Sequence, residues 1–148
     1  MVSARESEWD GVKRQVSIDL EGATTLEGTL DIPQGADGVV LFAHGSGSSR
    51  HSPRNRYVAE ALNEHSLWTL LVDLLTAEEE QEDEVTGRLR FDIDLLTRRL
   101  VAITDWLTSP VQGRGHGIGL FGASTGAAAM TTILFTFCRD TPNGPLAP

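Results

Sequence analysis

The chain of 148 residues contains a single cysteine, Cys138. That excludes an internal disulfide and a thiolate metal cluster and suits a reducing compartment. The first residues, Met1 to Glu8, are polar and lack an apolar core segment, so no secretory signal is expected. Long apolar runs are missing as well. The longest mainly apolar stretch, Gly126 to Cys138, is interrupted by Thr131, Thr132 and Thr136 and falls short of the roughly 20 residues of a membrane span. Basic clusters are scarce, and the net charge of −9 opposes the phosphate contacts that nucleic-acid binding requires. A cytoplasmic protein that touches neither membrane nor nucleic acid is the expectation.

With 40% hydrophobic residues, the chain is long enough for one domain with a buried core, expected over residues 1–138. From Arg139 the sequence has three prolines and no periodicity, so 139–148 is expected to be a disordered tail. Much of the negative charge is local: Glu78, Glu79, Glu80, Glu82, Asp83 and Glu84 fall in one run. Like charges packed so closely repel, which predicts a solvated loop or a frayed first helical turn, and the run lacks the spacing of a calcium loop.

Alternating polar and apolar residues predict strands over 15–20 and 25–32, joined as a hairpin by the turn Glu21-Gly22-Ala23. The unbroken apolar run from Gly38 to Ala43 is that of a strand covered on both faces. A helix is predicted over 53–64, with Ser52 as N-cap, Pro53 at its first position, and Tyr57, Val58, Ala61 and Leu62 on one face. A second buried strand follows over 67–73. Leu96, Leu100, Ile103 and Leu107 then mark an amphipathic helix within 91–108, closed by Pro110. A third buried strand over 117–121 leads through Gly122-Ala123-Ser124-Thr125-Gly126 into an alanine-rich helix. Alternation of this kind builds an α/β fold: a mainly parallel sheet with an N-terminal antiparallel hairpin and helices on both faces.

Gly122-x-Ser124-x-Gly126 has the form of a nucleophile elbow, in which a serine sits on a strained strand-to-helix turn and the flanking glycines allow close backbone approach. Two small residues around a serine are common; a buried strand before them and a helix after them give the spacing its weight. At the end of the first parallel strand, His44-Gly45-Ser46-Gly47-Ser48-Ser49 stands where a hydrolase needs a loop whose N–H groups face the developing oxyanion. Gly45 and Ser46 are the candidate donors. Thr125, at a helix N-terminus with free N–H groups, is the third. A competing pattern, Gly117-x-Gly119-x-x-Gly122, formally matches a dinucleotide fingerprint, but its glycines fall inside the predicted strand instead of after it.

Together these residues resemble the α/β-hydrolase superfamily, and the run from His44 to Asn55 resembles its dienelactone hydrolase-like branch. The resemblance covers about Val16 to Met130, its N-terminal portion, and implies a serine hydrolase of small esters or lactones that forms an acyl-enzyme on Ser124 without metal or cofactor. In the family the nucleophile is followed by an Asp or Glu and then a His. Here the 24 residues after Ser124 hold Asp140 and no histidine, whereas His44, His51, His65 and His116 all precede the serine. His44 and His51 are the imidazoles that could serve as a substitute base; His65 and His116 are expected to be solvated. The expectation is a truncated hydrolase, inactive or weakly active. The alternative is a non-catalytic hydrolase-derived scaffold that pairs with itself or a partner through an exposed edge strand.

Overall fold

The computed structural model describes residues 12–36, 38–45, 47–108 and 117–131. The expectations placed on Ser46, His116, Cys138 and the segment 139–148 lie outside the described residues. Strands β1 (Val12–Leu20) and β2 (Thr24–Ile32) form the antiparallel hairpin, with Val12 opposite Ile32 and Leu20 opposite Thr24. Its turn needs left-handed backbone, supplied by Gly22 at φ +81° and Ala23 at φ +61°. Strands β3 (Gly38–Ala43), β4 (Leu67–Val72) and β5 (Gly117–Gly122) run parallel, and the sheet order is β1-β2-β4-β3-β5.

Period-two alternation sends the side chains of the central strands to two cores. Val39, Leu41 and Ala43 of β3 join Trp68, Leu70 and Val72 of β4 on one face, under Leu96, Leu100, Ile103 and Leu107 of helix α3 (Ile93–Thr108). Phe42 and Leu71 face the other way, against Ala59, Val58 and Leu62 of helix α1 (Pro53–Glu64). Each fully buried leucine or isoleucine of such a core contributes about 1.5–3 kcal/mol. Among the described residues no helix is long and apolar enough to cross a membrane.

Helix α1 starts as its sequence predicts, with the Ser52 hydroxyl accepting the Asn55 N–H at 3.4 Å and Pro53 in the first turn. Its buried face differs. Tyr57 is 75% exposed and Ala61 is exposed, while Asn55 and Ala59 are buried. The stripe 55, 58, 59 and 62 has true helical spacing, and its polar first member masks it in the sequence.

The acidic run departs from expectation further. It forms a helix, α2 (Ala77–Thr86), opened by a capping box in which Thr76 and Glu79 satisfy each other's backbone N–H groups. Glutamates in its first turn suit the helix dipole. Two of its acids have cationic partners from outside the run. Asp83 is buried and accepts the Leu89 N–H at 2.7 Å and Arg90 Nε at 2.6 Å. Glu79 receives two parallel bonds of 2.6 Å from the buried Arg99, which also donates to the Leu74 carbonyl at 2.6 Å.

The hydrogen bonds from Arg99 hold the Glu79 carboxyl below its ordinary 4.5 despite partial burial. A carboxyl depressed by folding stabilises the chain above its unfolded pKa and loses that contribution as pH falls through the folded value. Glu79→Gln should therefore cost about 1–3 kcal/mol at pH 7, less than the 3–5 kcal/mol of a fully buried pair because Glu79 is partly open to water. Urea unfolding from pH 7 down to pH 3 checks this: the deficit should shrink as pH falls through the acid range.

Candidate active site

Strand β3 lies between β4 and β5. The chain leaves β3 through α1 to reach β4 on one side, and returns through α2 and α3 to place β5 on the other. Connections that diverge in this way open a crevice at the carboxyl ends of the parallel strands. Ala43 is in register with Gly122, so the segments that follow them, from His44 and from Ala123, enter the crevice side by side.

The turn after β5 is tight. Ser124 has φ +53° and is exposed, and a helix, here α4, begins at 125 and is described to 131. A Cβ on Gly122 would stand 2.8 Å from the Ala127 nitrogen, and one on Gly126 would stand 2.6 Å from the His44 carbonyl oxygen and closer still to that of Ala43. Both positions therefore require glycine. The competing dinucleotide pattern fails on the same residues, since Gly117 and Gly119 lie within β5 and the turn itself is built around the serine.

The loop after β3 comes against this turn. A Cβ on Gly45 would meet the Ala123 carbonyl oxygen and the Ser124 Cβ, each at 3.1 Å. A cleft of about 470 Å³ opens here, and its lining includes His44, Gly45, His51 and Thr125. Two of the three expected oxyanion donors, Gly45 and Thr125, thus border one cavity; the third, Ser46, is outside the described residues. His44 is buried, and both its ring nitrogens are engaged. The Leu74 N–H donates to Nε2 at 3.1 Å, which leaves the proton on Nδ1, where it is donated to the Gly45 carbonyl at 2.9 Å. His51 is exposed at the rim, and His65 is exposed at the end of α1, bonded to the Ala61 carbonyl. Among the described residues no imidazole or carboxylate hydrogen-bonds the Ser124 hydroxyl, and no group of His, Cys, Asp and Glu is arranged to hold a metal ion.

Sequence reasoning missed the charged side of the cleft. Glu80, Asp83, Glu84 and Arg90 line it, and Arg90 is consumed by Asp83. Burial, with Asp73 and Glu84 nearby, pushes the Glu80 carboxyl up. Asp73, just beyond β4, is buried and paired with Arg50 of the loop. Its only signal in the sequence is a polar residue closing an apolar run.

A strand-turn-helix with a left-handed serine between obligatory glycines, on a sheet of this order, has counterparts in known proteins. A dienelactone hydrolase from Anabaena variabilis superposes with a TM-score of 0.76 at 58% identity, covering 80% of this chain and 54% of that one. The chain is an α/β-hydrolase fold of the dienelactone hydrolase-like kind. A Pyrococcus furiosus esterase shares the hydrolase fold at 23% identity and a TM-score of 0.64, over 88% of this chain and 49% of that one. A Mycobacterium tuberculosis protein that bears the name phosphoribosyl transferase is 50% identical over 108 residues, 73% of this chain and 24% of its own length. The chain thus spans about half of the hydrolase and a quarter of the curated relative. No family model matches it.

The strain of the turn at Ser124 is measurable. Ser124→Gly should raise stability by about 0.5–1 kcal/mol, because a left-handed non-glycine residue costs about 1–2 kcal/mol and the more flexible unfolded glycine takes part of that back. Gly126→Ala should cost more than about 3 kcal/mol, since its Cβ meets backbone carbonyls that cannot move aside. Thermal unfolding of the two variants checks both signs.

Proposed function

We propose that the chain carries the nucleophile and the oxyanion side of a serine hydrolase acting on small esters or lactones. The observation that carries this reading is the backbone of Ser124, held left-handed between two glycines that admit no side chain and packed against Gly45, which together with Thr125, the neighbour of Ser124, borders the cleft. Strained non-glycine residues persist where the surroundings enforce them, and they cluster at functional sites.

In the reaction, Ser124 Oγ attacks the carbonyl carbon and gives its proton to a base. The carbonyl oxygen becomes an oxyanion to be met by the N–H groups of Gly45 and Thr125, the donors that border the cleft. Collapse of the tetrahedral species expels the alcohol, or opens the lactone ring, and leaves an acyl-enzyme that water then hydrolyses. His44 suits a structural role, because both its nitrogens are committed to backbone groups. His51 is the cleft imidazole left to accept the proton. A site that works on oxyanion stabilisation and binding alone retains roughly 10³ to 10⁴ over water.

The phosphoribosyl transferase name of the mycobacterial relative fits this cleft less well. A pyrophosphate needs free cations, whereas Arg90 is engaged by Asp83, and Glu80 and Glu84 face the space.

One observation favours a second reading, a scaffold that pairs through an edge: among the described residues β5 is bonded to β3 on one side only, with Ile118 and Leu120 half-buried. Such an edge can accept another strand.

A fluorophosphonate probe separates the two readings. Intact mass and peptide mapping should show slow, stoichiometric labelling at Ser124 that is lost in Ser124→Ala. A folded chain that takes no label, and sediments as a dimer that Ile118→Lys dissociates, would overturn the hydrolase reading in favour of the scaffold.

A further inference from the structure

The loop that borders the oxyanion position is held from the end of a different strand. We propose that Asp73 is the positioning residue of this loop, pinning it through Arg50; the proposal rests on the Ser124 reading above.

Asp73 follows β4 directly and is anchored in turn by β2, since its N–H donates to the Glu27 carbonyl at 2.9 Å. Its Oδ1 accepts the backbone N–H of Arg50 at 2.7 Å, and its Oδ2 meets the Arg50 guanidinium. The next residue, Leu74, donates its N–H to His44 Nε2 at 3.1 Å, and His44 Nδ1 donates to the Gly45 carbonyl at 2.9 Å. Two consecutive residues at the end of β4 therefore grip both ends of the segment from His44 to Arg50. Within it, the Ser48 N–H returns to the Gly45 carbonyl at 3.1 Å.

The composition of the segment makes such a grip necessary. Gly45, Gly47, Ser48 and Ser49 carry small side chains or none, and Gly47 at φ +72° uses backbone that only glycine adopts freely. Fixing each residue of such a loop costs about 1–2 kcal/mol of backbone entropy. Oxyanion donors lower a barrier only if they are in place before charge develops.

A carboxylate is the stronger anchor here, because charge-assisted bonds are roughly twice as strong as neutral ones. Arg50 also leaves its Nε buried with no hydrogen-bond partner among the described residues. The guanidinium is thus placed to meet Asp73 at the expense of its own hydrogen bonding. An ordinary exposed ion pair is worth about 0–1 kcal/mol and would restrain nothing; this one is half-buried and includes a backbone N–H.

The test compares the unaltered chain with Asp73→Asn, which keeps an acceptor for the Arg50 N–H but loses the charge, and with Asp73→Ala, which loses both. Amide hydrogen exchange should accelerate on the order of tenfold over 44–50 in Asp73→Ala and by less in Asp73→Asn, with β3 and the β1–β2 hairpin still protected. With a fluorophosphonate, the maximal inactivation rate should fall about 10- to 100-fold at an inhibition constant within about twofold, below the 10²–10³ seen when an oxyanion donor is removed outright. Unchanged exchange over 44–50, or acceleration spread evenly along the chain, would overturn the proposal. So would a loss confined to the inhibition constant. If the unaltered chain takes no label, the Ser124 reading falls, and the exchange pattern alone decides whether Asp73 holds the loop.

Discussion

The approach of α4 to the end of β3 is the contact on which the site depends. The backbone at Gly126 rests against the carbonyls of Ala43 and His44, at a distance that leaves no room for a single methyl group. A helix docked so closely must begin almost at once after β5, and the chain has only Ala123 and Ser124 in which to turn. The left-handed backbone at Ser124 is the geometric result. It persists because several contacts impose it together: Gly122 under Ala127, Gly126 on β3, and the Gly126 and Ala128 N–H groups returning to the carbonyls of Ala123 and Ser124 at 3.1 Å each. No one of these would hold a strain of about 1–2 kcal/mol alone.

What β3 offers to this contact is rigidity. It is the strand with parallel neighbours on both sides, and its side chains enter both cores. The loop leaving its end and the turn leaving β5 are therefore referred to one fixed frame. Beneath the loop, β4 supplies the second fixed point, through the carboxylate of Asp73 and the N–H of Leu74. Sites supported in this way by strand ends keep their geometry better than sites carried by loops alone.

Strand and site are legible in the sequence where the interaction is local. The period of two in β1 and β2, the apolar runs of β3 and β4, and the leucine and isoleucine spacing of α3 all express burial that each element meets by itself. The turn at Ser124 is legible because its glycine spacing is local, although the contact that requires glycine at 126 comes from the end of β3. The failures share the opposite cause. Helix α2 hides in a run of like charge because the partners that stabilise it, Arg90 for Asp83 and Arg99 for Glu79, stand 7 and 20 residues away in the chain. The face of α1 is misread because Asn55, a polar residue, occupies a buried place in the stripe. Asp73 looks like the polar end of a strand, and its partner Arg50 lies 23 residues earlier.

His44 shows most clearly what local reading leaves open. In the sequence it is an imidazole in a loop expected to face Ser124, free to be a base or a structural group. The Leu74 N–H, 30 residues later, decides between them, because a backbone amide can only donate and so commits Nε2 to accept. The neutral ring then spends its one proton on Gly45. His44 thus relays the position of β4 into the loop, and a single histidine becomes part of the frame. The donors that would face an oxyanion are backbone groups, and their placement belongs to the fold. Proton transfer needs a side chain whose nitrogen is uncommitted, and in this cleft the frame has already claimed His44. The electrostatic and proton-transfer parts of the proposed chemistry are therefore separable, since the first would rest on backbone groups at the strand ends and the second on a side chain.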